Sequence, residues 1–217
     1  MSAKTSKILT EIYDKMFKHF GPQHWWPGET PFEVMVGAIL TQNTNWGNVE
    51  KAISNLKGKG VLSPKALEAL PPSKLAELIR PAGYFNVKAK RLKNFIHFLV
   101  EEYGGSVEKL SDEDLPKLRE KLLEVSGIGP ETADSILLYA ALKKIFVIDQ
   151  YTYRVLSRHH LIGEEASYDE MQELMTHHLP DDLALYNEYH ALLVMVGKHF
   201  CKKTPLCEKC PLNGVNW

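Results

Sequence analysis

Apolar residues recur at helical intervals along nearly the whole chain. Ile8, Leu9, Ile12, Tyr13, Met16 and Phe17 alternate with Lys7, Glu11, Asp14 and Lys15, which predicts an amphipathic first helix rather than the apolar core of a signal peptide. Val34 to Leu40 is apolar almost all round and predicts a buried helix. Further helices are predicted at about 48–57, 64–70, 73–80, 86–103, 115–124, 131–142, 150–158, 168–178 and 182–200. Gly58 and Gly60, Pro71-Pro72, Pro81 and Gly83, Gly104-Gly105 and Pro180 separate them. One strand-like run, Ile145 to Ile148, is too short and isolated to imply a sheet. The fold class is therefore all-α, and two helical lobes sharing a cleft are expected. The predicted division is 30–145 as a central lobe and 1–29 with 146–217 as a second.

Composition narrows the function classes. Hydrophobic residues make up 44% and charged residues 24% of 217, the profile of an ordered globular chain. No stretch approaches the roughly 20 apolar residues that cross a bilayer, so no membrane partner is expected. Lys plus Arg number 26 against 27 Asp plus Glu, a net charge of -1. A nucleic-acid role would therefore need a local basic surface. All three Cys fall in the last 17 residues, which points to metal or cluster binding in a reducing compartment.

The most informative segment is Leu122-Leu123-Glu124-Val125-Ser126-Gly127-Ile128-Gly129-Pro130-Glu131-Thr132-Ala133-Asp134, about midway in a helical hairpin spanning roughly 117–142. A helix stops at Val125, Gly127 and Gly129 make a tight turn around Ile128, and a new helix starts at Pro130 or Glu131. Two glycines let another backbone approach closely, and the N–H groups at the new helix start suit a DNA phosphate. A dinucleotide loop is excluded because a helix, not a strand, precedes the glycines. A plain αα-turn is the alternative reading.

The run Ser126-Gly127-Ile128-Gly129, with Thr132 and Ala133, resembles the helix-hairpin-helix of the endonuclease III superfamily of DNA glycosylases. The resemblance extends over about 30–210. Val147-Ile148-Asp149-Gln150-Tyr151-Thr152-Tyr153-Arg154-Val155 matches the segment bearing the family's Asp, Leu40-Thr41-Gln42-Asn43-Thr44 its Gln loop, and Gly83-Tyr84-Phe85-Asn86-Val87-Lys88-Ala89 its Gly-Leu-Tyr-Asn segment. The resemblance implies a two-lobed enzyme acting on double-stranded DNA with a damaged base, monomeric, cytoplasmic and associated with the nucleoid. It would flip the base out and cut the N-glycosidic bond.

Asp149 is then the candidate catalytic carboxylate, placed to stabilise a cationic sugar or activate water; an N-cap role is compatible with this. Bifunctional relatives carry a Lys in the hairpin helix that forms a Schiff base. The matching position here is Glu131, which cannot, so base removal without strand cleavage is expected. Trp25, Trp26 and Pro27, with Trp46, offer stacking faces, and an alkylated base is cationic, which an indole face attracts. With Glu131 they form the candidate base pocket, similar to that of the 3-methyladenine glycosylases; the alternative is that the indoles only cap the core. By resemblance Gln42 fills the hole left by the flipped base, Tyr84 intercalates, and Asn86, Lys88, Gly127, Ile128, Gly129 and Thr132 complete the DNA-binding set. Lys90, Arg91 and Lys93 add local basic charge. Rival readings are an endonuclease III-like enzyme for oxidised or deaminated bases and a DNA-binding protein without catalysis.

Cys201, Cys207 and Cys210 have metal-binding spacing within a loop at 201–216. The family's [4Fe–4S] site has four Cys; here the first gap is one residue shorter and Asn216 stands in the fourth place. The options are a [4Fe–4S] cluster with an incomplete Cys set, zinc held by the three Cys and His199, or no metal. The flanking Lys202, Lys203, Pro205, Lys209 and Pro211 favour the cluster.

Overall fold

The structure, a computed structural model, describes residues 3–215. It is all-helical, with no strand among the described residues. It divides into two compact units: Trp26–Lys143, and a second built from the segments on either side.

The flanking unit begins with α1 (Ala3–Phe20), whose Ile8, Leu9, Ile12 and Met16 are buried at the expected spacing. The central unit holds α2 (Pro31–Leu40), α3 (Trp46–Gly58), α4 (Pro64–Ala69), α5 (Pro72–Leu78), α6 (Phe85–Tyr103), α7 (Val107–Asp112), α8 (Leu115–Glu124) and α9 (Pro130–Ser135). The flanking unit ends with α10 (Gln150–Arg158), α11 (Tyr168–His178) and α12 (Leu183–His199).

In the central unit α2 is buried from Phe32 to Leu40, as its all-round apolar pattern requires. Thr30 caps it by accepting from the Glu33 amide at 3.1 Å, and Pro31 supplies a preset first turn. Its buried Glu33 pairs with Lys57 at 2.8 Å. Helix α2 packs on α6 and on the turn that follows α9. That turn, Ile136–Ala140, is π-helical and fully buried, so the helix expected over 131–142 changes its winding halfway. Leu142 follows with a left-handed φ of +54°. Arg119 on α8 clamps Asp134 on α9 through two hydrogen bonds of 2.8 and 3.2 Å, fixing the angle of the hairpin.

Helix α7 was not expected. Ser106 caps it at the Lys109 amide, but only Leu110 of its six residues is buried, too little for a periodic signal. In the flanking unit α12 packs on α1 and α10. The run Ile145 to Ile148 is non-helical and buried, tied to α11 by Gln172 donating to the Phe146 carbonyl at 2.6 Å and by the Ile148 amide donating to the Tyr168 hydroxyl at 3.3 Å. Its apolar character reflects burial rather than a sheet. Among the described residues no helix is long and apolar enough to cross a membrane.

Candidate functional site

The buried run Ile145 to Ile148 delivers Asp149 to the start of α10 in a fixed orientation. One carboxylate oxygen accepts from the Thr152 amide at 2.7 Å, and the other lies 3.6 Å from His190 Nε2 on α12. The side chain is 11% exposed, and that of His190 only 5%. Burial opposes the charge of Asp149, yet His190 and the Thr152 donors outweigh it and hold the carboxyl below its ordinary value. The cap and the candidate catalytic carboxylate are thus one residue, and the group is a standing negative charge at neutral pH. The sequence reading missed His190. Its only signal is a polar residue directly before the apolar stretch from Ala191 to Val196 of a buried helix.

In the central unit, the hairpin and the Gln42 loop form one constellation. The Gln42 amide nitrogen donates to the Gly127 carbonyl at 3.1 Å and to the Thr132 hydroxyl at 2.9 Å, while its oxygen accepts from Arg91. Both ends of Gln42 are therefore occupied by the hairpin and α6. Ile128 is 5% exposed and plugs the turn, which closes by its amide donating to the Val125 carbonyl at 2.9 Å.

The two glycines do different work. Gly127 sits at φ +98°, and a Cβ there would fall 2.3 Å from Arg91 Cγ. Its bareness accommodates Arg91, not an outside backbone. Gly129 has ordinary extended dihedrals (φ -99°, ψ 178°), is exposed, and has open space where a Cβ would stand. Only Gly129 leaves its face open to an approaching phosphate. Glu131 follows it, exposed, on the first turn of α9.

Tyr84 holds a left-handed backbone (φ +44°, ψ 32°) just before α6 and leaves its ring 73% exposed. A bulky residue in that region is strained. Asn86 is also exposed on the first turn of α6.

Lys88 is a correction. It was expected on the DNA-facing set but is 1% exposed, its ammonium donating to the carbonyls of Leu40 at 2.8 Å and Ala82 at 2.7 Å. Burial, with Arg91 nearby, pushes its pKa down to about 8. It ties the end of α2 to the turn before Tyr84, so it braces the two loops and cannot reach a phosphate. Lys93 is likewise turned inward, donating to the carbonyls of Leu67 at 3.0 Å and Leu70 at 3.3 Å at the end of α4. Of the local basic residues, Lys90 alone is exposed.

Trp26 and Trp46 meet edge to face at 5.3 Å between ring centroids, and Tyr139 lies 5.4 Å from Trp26. Both indoles lie over Gly37 of α2, where a Cβ would come within 3.1 Å of Trp26 and 3.3 Å of Trp46. Trp46 Nε1 donates to Glu50 at 2.8 Å. Trp26 and Trp46 are half-buried and Pro27 is exposed, so the cluster is not sealed into the core. Trp25, also half-buried, belongs to the flanking unit. Tyr139 was missed because it reads as one more apolar position of a buried helix.

Cys201, Cys207 and Cys210 line one cavity of about 310 Å³ with Arg158, His159 and apolar residues including Val196, Phe200 and Leu212. Arg158 donates to Cys201 Sγ at 3.3 Å and to the Lys202 carbonyl at 2.6 Å. Burial, with Cys201 and Cys207 nearby, raises the Cys210 thiol above its ordinary value. Among the described residues no three His, Cys, Asp or Glu side chains converge on a point that could hold one ion. Three thiols around a roomy cavity suit a multi-atom cluster, whose irons are separately ligated, better than one zinc ion. His199 is exposed and packs toward Phe20, 6.5 Å between centroids, and does not line the cavity. Asn216 lies outside the described residues.

The chain is similar to known proteins. The chain is 50% identical over 213 residues to a candidate DNA repair glycosylase of Methanocaldococcus jannaschii, covering 98% of this chain and 97% of that one. It is 30% identical over 205 residues to endonuclease III of Thermotoga maritima, covering 94% and 89%. Among solved structures it is similar to the 3-methyladenine DNA glycosylase of Helicobacter pylori bound to 1,N6-ethenoadenine, with a TM-score of 0.76, 32% identity, and 89% and 97% of the two chains covered. A family model, HhH-GPD superfamily base excision DNA repair protein, matches residues 36–181. That span takes in the Gln42 loop, the hairpin and Asp149, and the chain belongs to the HhH-GPD superfamily of base excision DNA repair proteins.

Proposed function

We propose that the protein is a monofunctional DNA N-glycosylase that removes alkylated bases such as 3-methyladenine from double-stranded DNA and leaves an abasic site. The observation that carries the reading is Asp149: a nearly buried carboxylate, held at one oxygen by the Thr152 amide, with His190 3.6 Å from the other, and kept ionised. A carboxylate held below its ordinary pKa is a poor proton acceptor but a permanent charge. It serves best by stabilising the cationic sugar that forms as the base departs. N-alkylated purines carry a positive charge and a weakened glycosidic bond, so little acid assistance is needed at the leaving base.

The aromatic group of Trp26, Trp46 and Tyr139 supplies electron-rich faces for such a base, with Trp25 and Pro27 adjoining in sequence. The substrate assignment is further supported by the 32% identity to the Helicobacter pylori enzyme. Glu131 at the hairpin-helix position cannot form a Schiff base, so the product is an uncleaved abasic strand. Gly129 admits a phosphate to the turn. Tyr84 acts as the wedge that opens the stack. Gln42 must let go of Gly127 and Thr132 before it can enter the helix.

The test is incubation with methylated duplex DNA, scoring released bases by chromatography and strand breaks before and after alkali. Released 3-methyladenine with breaks only after alkali is the expected result. The 30% identity to endonuclease III favours a second reading, release of oxidised pyrimidines. Release of those in place of methylpurines would overturn the alkylation assignment.

A further inference from the structure

The thiols of the C-terminal loop share their cavity with a ligand that the family pattern does not contain. Among the described lining residues, the side chains with a lone pair for iron are the three Cys, His159 and Asn213. An amide is a weak ligand for iron, while imidazole replaces thiolate on iron in known clusters. The Arg158 guanidinium donates to Cys201 Sγ at 3.3 Å, a hydrogen bond to sulfur of the kind that orients a cluster ligand. Val196, Phe200 and Leu212 form an apolar wall of the kind that shields a cluster from water. We propose that the chain holds a [4Fe–4S] cluster ligated by Cys201, Cys207, Cys210 and the imidazole of His159.

His159 takes the place of the missing fourth Cys from a different part of the fold. It is the residue that ends α10, and Asp149 is the residue that begins it. A cluster bound through His159 would thus hold the far end of the nine-residue helix that carries the Asp149 carboxylate. The ligand set stands apart from the substrate assignment, since it concerns only the flanking unit and its loop.

The full chain, purified without oxygen, is assayed for iron and acid-labile sulfide. It is then labelled with nitrogen-15 histidine and examined by pulsed electron paramagnetic resonance of the paramagnetic cluster. About four iron and four sulfide per chain are expected, with a nitrogen coupling that reports histidine on iron. His159→Cys keeps the iron content and abolishes the coupling. His159→Ala lowers iron to about three per chain after mild oxidation. Because the Cys variant retains four protein ligands, poor folding of the Ala variant would not decide the matter. Wild-type chain without iron and sulfide, a cluster without nitrogen coupling, or a coupling that survives in His159→Cys would each overturn the proposal. All three readouts are independent of whether any base is released.

Discussion

The two hairpin glycines make opposite predictions for the same substitution. Gly127→Ala puts a methyl group at φ +98° and 2.3 Å from Arg91 Cγ. A left-handed backbone costs a non-glycine residue about 1–2 kcal/mol, and overpacking a tight contact costs about 1–3 kcal/mol. Arg91 can yield part of this by rotating away, but it then releases the Gln42 oxygen. A net loss of about 2–4 kcal/mol is expected, or a fall in Tm of roughly 4–16 °C for a chain of this size. Gly129→Ala meets ordinary dihedrals and open space, so stability changes by less than about 0.5 kcal/mol. Its methyl group instead stands where a phosphate would approach, and affinity for duplex DNA falls about tenfold or more. Thermal unfolding and binding to a duplex with a stable abasic analogue read the two effects separately. A Gly127→Ala chain as stable as wild type would refute the packing of Arg91 against the turn. A Gly129→Ala chain that binds DNA normally would refute the assignment of the turn as a phosphate site.

Asp149→Asn keeps an acceptor for the Thr152 amide, so unfolding shifts by less than about 1–2 kcal/mol while base release falls at least about 100-fold and DNA binding persists; undiminished release would remove Asp149 from the chemistry. Because the Asp149 carboxyl is held below its ordinary 3.8, its contribution to stability is present above about pH 3.8 and is lost as the pH falls through the lower folded value. Acid unfolding of wild type and Asp149→Asn should therefore converge only below pH 3.8. Lys88→Met leaves the Leu40 and Ala82 carbonyls without their donor and should cost about 2–4 kcal/mol, while Lys90→Ala is neutral for stability and lowers the salt dependence of DNA binding. Since Lys88 sits at about 8 folded against 10.5 ordinarily, the unfolded chain binds more protons between those values; stability from this group rises with pH there, and the rise is absent in Lys88→Met. Borohydride reduction of the enzyme on damaged DNA should trap no covalent adduct, and a trapped adduct would refute the reading of Glu131.

Most of the fold could be read from the sequence because helix period and helix breakers are local signals. The buried character of α2 followed from apolar residues on every face, and the hairpin from its glycines and Pro130. What escaped were features set by tertiary contact. Helix α7 has a cap but almost no buried face, and the π turn after α9 has the same composition as a regular helix. His190 reaches Asp149 from a helix about 40 residues downstream, and no spacing rule links the two. Tyr139 lies 5.4 Å from Trp26, and Gly37 leaves room for both indoles over α2; no local spacing announces either contact.

The misplacement of Lys88 has a more general cause. A sequence counts cations but does not show what each one faces. In this chain many of the basic residues nearest the candidate sites are turned inward onto oxygen or sulfur. Lys88 and Lys93 donate to carbonyls near helix ends, where the partial negative charge favours a cation. Arg91 holds Gln42, Arg119 holds Asp134, and Arg158 spans Cys201 and the Lys202 carbonyl. These charges order the loops and are not available for phosphate. The exposed cations near these elements include Lys90 on α6, Lys117 on α8, Lys198 on α12, and Lys202, Lys203 and Lys209 in the Cys loop. A chain of net charge -1 can then bind a polyanion only by concentrating such residues and by using backbone N–H groups, which carry no formal charge. The open face of Gly129 is therefore a better candidate for phosphate than any lysine in the segment from Asn86 to Lys93.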